Sequence, residues 1–253
     1  MPFEYISTEN AIEAEGLRMV VVSNVPSPWG EAAKGILHMK SIPWKAVRLV
    51  YDSDTFNRWA KEQTAPIVFY EQEEQRSGWR EILDLAERIV PQPTLVAADA
   101  DAMFELCHKM FGENGLAWVR RLQLIEAGLN GKGGFLESVS KYLGAKYGYT
   151  PELGAAAATR VHALLAEFAA QLRAQKALGS PYYFGDQPSA ADIYSAAVMA
   201  MFGPLPEPEC VMKPATRAAF ETLDADTKAA LDPILFEHRD HMYATHLELP
   251  LSL

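Results

Sequence analysis

At 253 residues, with 49% hydrophobic and 22% charged side chains, the chain has a globular composition and enough length to bury a core unaided. A net charge of −10, with no run of Lys or Arg, argues against nucleic acid or an anionic membrane surface as a partner. Two cysteines, Cys107 and Cys210, cannot form a disulfide framework, lack metal-ligand spacing and are expected as buried, inert thiols.

Residues 1–16 form an acidic segment without the basic and apolar regions of a signal peptide. They are expected as an appended arm in which Ser7 or Thr8 caps a short helix ended by Gly16. Leu17 to Ser23, rich in β-branched residues, predicts a buried strand. Ser27-Pro28 joins a favoured N-cap to a favoured first helical residue, so a helix starts there and stops at Ile42-Pro43. Trp44 to Tyr51 alternates as a second strand, Asp54 to Gln63 forms a short helix, and Ile67 to Tyr70 is a third strand.

Glu71 to Glu74 is expected as a solvated turn, Gln75 to Ser77 as a short fourth strand, and Gly78 to Val90 as an amphipathic helix. The order β-α-β-α-β-β-α implies a small sheet covered by helices over residues 17–90. The two prolines in residues 91–97 mark a linker, and residues 98–253 carry only helical patterns. These helices are expected over residues 98–110, 115–129, 135–146, 151–177, 189–201, 214–223 and 233–247. No apolar stretch approaches the roughly 18 residues that span a bilayer, and a soluble, cytoplasmic protein is expected.

Four segments carry a resemblance to one family. Ser27-Pro28-Trp29-Gly30, running into Lys40-Ser41-Ile42-Pro43, resembles the loop and first helix of cytosolic glutathione transferases. Ala65-Pro66 before the third strand is similar to the family's cis-proline entry. Gly78-Trp79 stands where the family usually has an acidic residue and serine, with Arg76-Ser77 two residues earlier. Tyr183-Phe-Gly-Asp-Gln-Pro-Ser-Ala-Ala-Asp192 is similar to the family's helix-opening segment, in which Ser189 and Asp192 make a capping box.

The resemblance implies a thioredoxin-like βαβαββα domain followed by an all-helical bundle domain (α/β plus all-α). It also implies glutathione as co-substrate, a small, mainly apolar electrophile as partner, and a homodimer. Ser27 would activate the glutathione thiol at a helix N-terminus, where an anion is stabilised. The alternative is that Ser27 is only an N-cap, worth about 1 kcal/mol. Trp29, Ala65 and Pro66 would contact glutathione, whose cysteinyl backbone pairs with Ala65 in the manner of an added strand. Arg76, Ser77, Gly78 and Trp79 border the place of its γ-glutamyl end, with Arg76 a candidate bidentate partner for a carboxylate. Trp118 and Arg121 are candidates for the substrate cleft. His238, His241 and His246 converge on no ligand pattern, so no metal is expected. Gly78-Trp79 also motivates a rival reading, a binding protein that kept the fold without the thiol chemistry. A glutathione-independent hydrolase or dehalogenase lacks a visible nucleophile–base pair.

Overall fold

The computed structural model describes residues 4–23 and 25–251. Met1 to Phe3 of the expected arm, Asn24 in the loop before Ser27, and the last two residues lie outside them. The chain opens with β1 (Tyr5–Ile6), α1 (Thr8–Glu13), β2 (Leu17–Val21), α2 (Pro28–Met39), β3 (Trp44–Arg48), α3 (Asp54–Ala60), β4 (Ile67–Tyr70) and α4 (Trp79–Ile89). The strands make one sheet in the order β1-β3-β2-β4. β3 lies parallel to both β1 and β2, whereas β4 runs antiparallel to β2.

β2 is buried on both faces, which explains why every residue of it but Arg18 is apolar. Leu17, Met19 and Val21 face a large core shared with α2, α4 and the later helices. Val20 faces a smaller core with Ala11, Val47, Phe56, Ala60, Ile67 and Phe69. The N-terminal segment is more than an appended arm. It supplies the edge strand β1, and α1 packs on α3 and β3. Buried Arg18 ties this segment down, donating to the carbonyls of Ala11 and Glu71 at 3.2 and 2.9 Å and also to that of Gly16.

The expected fourth strand is a single antiparallel bridge, with Val68 and Arg76 exchanging backbone bonds of 2.7 and 2.9 Å. α4 begins at Trp79, too soon for the ladder to lengthen. Beyond α4 come α5 (Ala100–Phe111), α6 (Leu116–Leu129), α7 (Glu137–Lys146), α8 (Pro151–Ala177), α9 (Ala190–Val198) with a 3-10 turn (Met199–Met201), α10 (Pro214–Phe220), α11 (Ala225–Ala230) and α12 (Pro233–Thr245). The one feature of strand type in this stretch, among the described residues, is the bridge between Cys210 and Leu251.

α9 is the buried centre, packing on α2, α5 and α12. At its start the Ser189 N–H and hydroxyl both donate to Asp192 Oδ2 at 2.8 Å. Asp192 Oδ1 accepts from the Tyr183 N–H at 2.8 Å and lies 2.9 Å from His238 Nε2. Gly35 lets α2 lie directly on α9, because a Cβ there would come within 2.8 Å of Ile193 Cγ2. Through that contact the start of α2 is held against the helical half. Among the described residues, no helix is long and apolar enough to cross a membrane.

Candidate functional site

α2 starts at Ser27, whose backbone is extended as an N-cap requires, with Pro28 in the first turn. The Ser27 side chain makes no cap bond, so the helix start lacks a side-chain acceptor of its own. Its third residue is Gly30, which has no side chain to reach back. Trp29 projects from this turn and meets Phe111 edge-on, with ring centroids 5.7 Å apart. The Ala65–Pro66 bond is cis, as expected from the sequence.

A cavity of about 330 Å³ joins these elements. Trp29, Ala65, Pro66 and Ser77 line one side, and Phe111, Trp118, Arg121 and Tyr147 line the other. The structure thus brings together six of the residues singled out in the sequence. Ser27, Arg76, Gly78 and Trp79 are not on that wall.

Arg76 is engaged elsewhere. Its guanidinium donates to Glu73 Oε2 at 2.7 Å and to the Glu74 carbonyl at 3.1 Å. Glu73 also takes Arg88, and hydrogen bonds from Arg88 and then Arg76 hold its carboxyl below the usual range. The acidic turn is therefore an ion-paired tip as well as a solvated one.

The start of α4 is closed from within. Glu81 Oε2 accepts the N–H of Gly78 at 3.1 Å and that of Ser77 at 3.4 Å. This is the return half of a capping box, formed without a cap side chain. Gly78 permits it, since a Cβ there would sit 3.2 Å from the same carboxylate oxygen. The Ser77 hydroxyl is drawn to Glu62 Oε1 at 3.4 Å. Trp79 packs edge-on against Tyr194 at 5.7 Å, and the Tyr194 hydroxyl donates to the Trp79 carbonyl at 2.9 Å. The cleft among Trp79, Trp29, Pro66 and Phe111 keeps only about 10 Å³, roughly room for one water.

The feature that sequence reading missed is the setting of Arg121. Its guanidinium lies over the rings of Trp29 and Tyr147 at 4.0 and 4.1 Å, and 5.6 Å from that of Trp118. Exclusion of water by these rings pulls its pKa down to about 10. Tyr147 follows α7, and the signal for it was the local cluster Tyr142, Tyr147 and Tyr149. Among the described residues, no group of three or more His, Cys, Asp or Glu is placed to hold a metal ion.

No protein-family model matches the sequence, and comparison with curated proteins gives no match. Solved structures do match in fold. A glutathione S-transferase from Methylobacterium radiotolerans, in complex with glutathione sulfonate, aligns at 18% identity over 90% of this chain and 91% of its own, with a TM-score of 0.61. A glutathione S-transferase from Methylobacillus flagellatus with glutathione bound aligns at 12% identity over 90% and 94%, also at 0.61. A β-etherase from Sphingobium aligns at 15% identity over 89% and 99%, at 0.56. The chain has the fold of the glutathione transferases, a thioredoxin-like sheet followed by a helical half.

Proposed function

We propose that the protein binds glutathione along Ala65-Pro66 and activates its thiol for attack on a small electrophile held in the neighbouring cavity. The observation that carries this reading is the wall of the 330 Å³ cavity. It joins the cis-proline edge before β4 to the first turn of α2 and to α6, three elements far apart in sequence. Solved structures of the same fold are described with glutathione or glutathione sulfonate bound, which supports the same ligand here.

In this reading the α2 N-terminus and the Ser27 hydroxyl stabilise the thiolate. The thiol proton leaves to solvent and the sulfur forms a bond to the electrophilic carbon. Either the bond to a leaving group breaks and its pair departs with that group, or the π pair of a polarised double bond moves to its far atom, which takes a proton from solvent. The Ser27 hydroxyl, uncommitted to the helix cap, is available for that bond. Glutathione transferase activity, a cytoplasmic location, a homodimer and a domain division at residues 91–97 belong to the same proposal.

A second reading is favoured by one observation. Glu81 fills the α4 N-terminus, the place where an anionic γ-glutamyl group would otherwise gain backbone N–H bonds. A protein that has kept the fold but lost glutathione would show this arrangement. Calorimetric titration with glutathione decides between them. Saturable binding, with a thiolate absorbance that disappears in Ser27→Ala, supports the enzyme; no heat up to millimolar glutathione overturns it.

A further inference from the structure

We infer that the second substrate of this site is an aromatic carboxylate or a close anionic relative, held by Arg121. This rests on the reading of the cavity as a substrate cleft and sharpens the expectation of a mainly apolar electrophile.

The argument starts from what Arg121 lacks. Among the described residues its guanidinium has no carboxylate within ion-pair reach and no hydrogen-bond acceptor. The buried arginines Arg120 and Arg18, by contrast, are engaged by protein acceptors. Arg120 donates to the carbonyls of Met201, Phe220 and Thr222 and to Gln123 Oε1. Arg18 likewise ends on three carbonyls. Arg121 is half-buried, and its guanidinium nitrogens still reach solvent, so the five donors of its rigid plane are open to a ligand.

What Arg121 does have is aromatic. The Arg121 Cζ lies over the Trp29 and Tyr147 rings, each about 4 Å away. These contacts use none of its N–H donors in hydrogen bonds, and a guanidinium can meet a carboxylate through two parallel bonds. Charge nearby favours the same ligand. The Lys146 ammonium, which donates to the Gln63 carbonyl outside the cavity wall, lies 5.5 Å from the centroid of the same Tyr147 ring and adds positive potential there. Glu113 lines the cavity but is exposed at its rim and makes no ion pair with Arg121. The remaining wall, Phe111, Trp118 and Pro66, offers apolar surface to a planar ring.

The test is calorimetric titration of the full chain with 2-naphthoate and with uncharged 2-naphthamide, with and without saturating glutathione. The wild type should bind the naphthoate about tenfold or more tightly than the amide. Arg121→Gln should bring the two to parity, and Arg121→Lys should recover part of the preference. Equal affinities in the wild type would overturn the inference, whatever the variants do. It would also be overturned if Arg121→Gln abolished glutathione binding and left the naphthoate preference intact, since the guanidinium would then serve glutathione. If glutathione binds to none of these proteins while the naphthoate preference stands, the transferase reading fails and the anion site survives.

Discussion

Four serines open helices in this chain, and two of them, Ser189 and Ser27, are used in opposite ways. Ser189 at the start of α9 is buried and locked to Asp192, which in turn holds Tyr183 and His238. Ser27 at the start of α2 makes no cap bond. The residue at the third helical position explains the contrast. Asp192 occupies it in α9 and returns bonds to the cap, whereas Gly30 occupies it in α2 and cannot. α4 sides with α9, because Glu81 at its third position accepts the N–H groups of Ser77 and Gly78. A helix start that carries its own carboxylate is closed to an outside anion; one without it remains open to a thiolate.

The largest expected effect tests the closed start of α9. Asp192→Ala strands buried donors from Tyr183 and Ser189 and should cost about 3–5 kcal/mol. Urea denaturation measures it, and a loss near that of an exposed substitution would break the contrast.

Next comes α4. Glu81→Ala should lower stability by about 1 kcal/mol through loss of the return bond. It should also tighten glutathione binding about three- to tenfold, because the freed N–H groups then face the ligand. Weaker binding in calorimetry would mean instead that Glu81 holds a positive group of the ligand.

Ser27→Ala probes the open start. Because its hydroxyl makes no cap bond, the stability change should stay below about 0.5 kcal/mol, less than a working cap serine costs. A loss of about 1 kcal/mol, with unchanged thiolate absorbance, would make Ser27 a structural cap and nothing more.

The smallest effect concerns the protein's own thiols. Burial pushes Cys210 up to about 11 and Cys107 higher still. Thiolate at Cys210 should therefore form only as pH rises toward 11, leaving roughly 0.1% at pH 8. Iodoacetamide at pH 8 should spare both cysteines in the native protein and label both after denaturation. Rapid native labelling would show that a thiol other than glutathione's is available near the site.

Much of this architecture was legible locally. Thr150-Pro151 placed the start of α8 at the residue where it occurs, because a capping hydroxyl and a fixed φ act within one turn. The β-branched residues of β2 announced a buried strand. Glu81 was legible in principle, three residues after Gly78, yet the return bond was read only at Ser189, where a cap side chain advertised it.

The rest came from distance. Two residues, Tyr5 and Ile6, carry too little pattern to announce a strand; β1 exists because the edge of β3 offers it partners. Arg76 looked available for a ligand carboxylate, but the turn folds Glu73, three residues earlier, onto it, and Arg88 from the far end of α4 joins the same carboxylate. Arg121 was picked out as a cleft residue, but its surroundings come from α2, α6 and the end of α7. The sequence by itself determined helix starts and the buried central strand, since caps and periodicity act on neighbours in the chain, while the cis-proline edge was expected through the family resemblance. Only the tertiary structure decided which charges are spent inside the protein and which is left for a ligand, because pairing depends on side chains that meet only after folding.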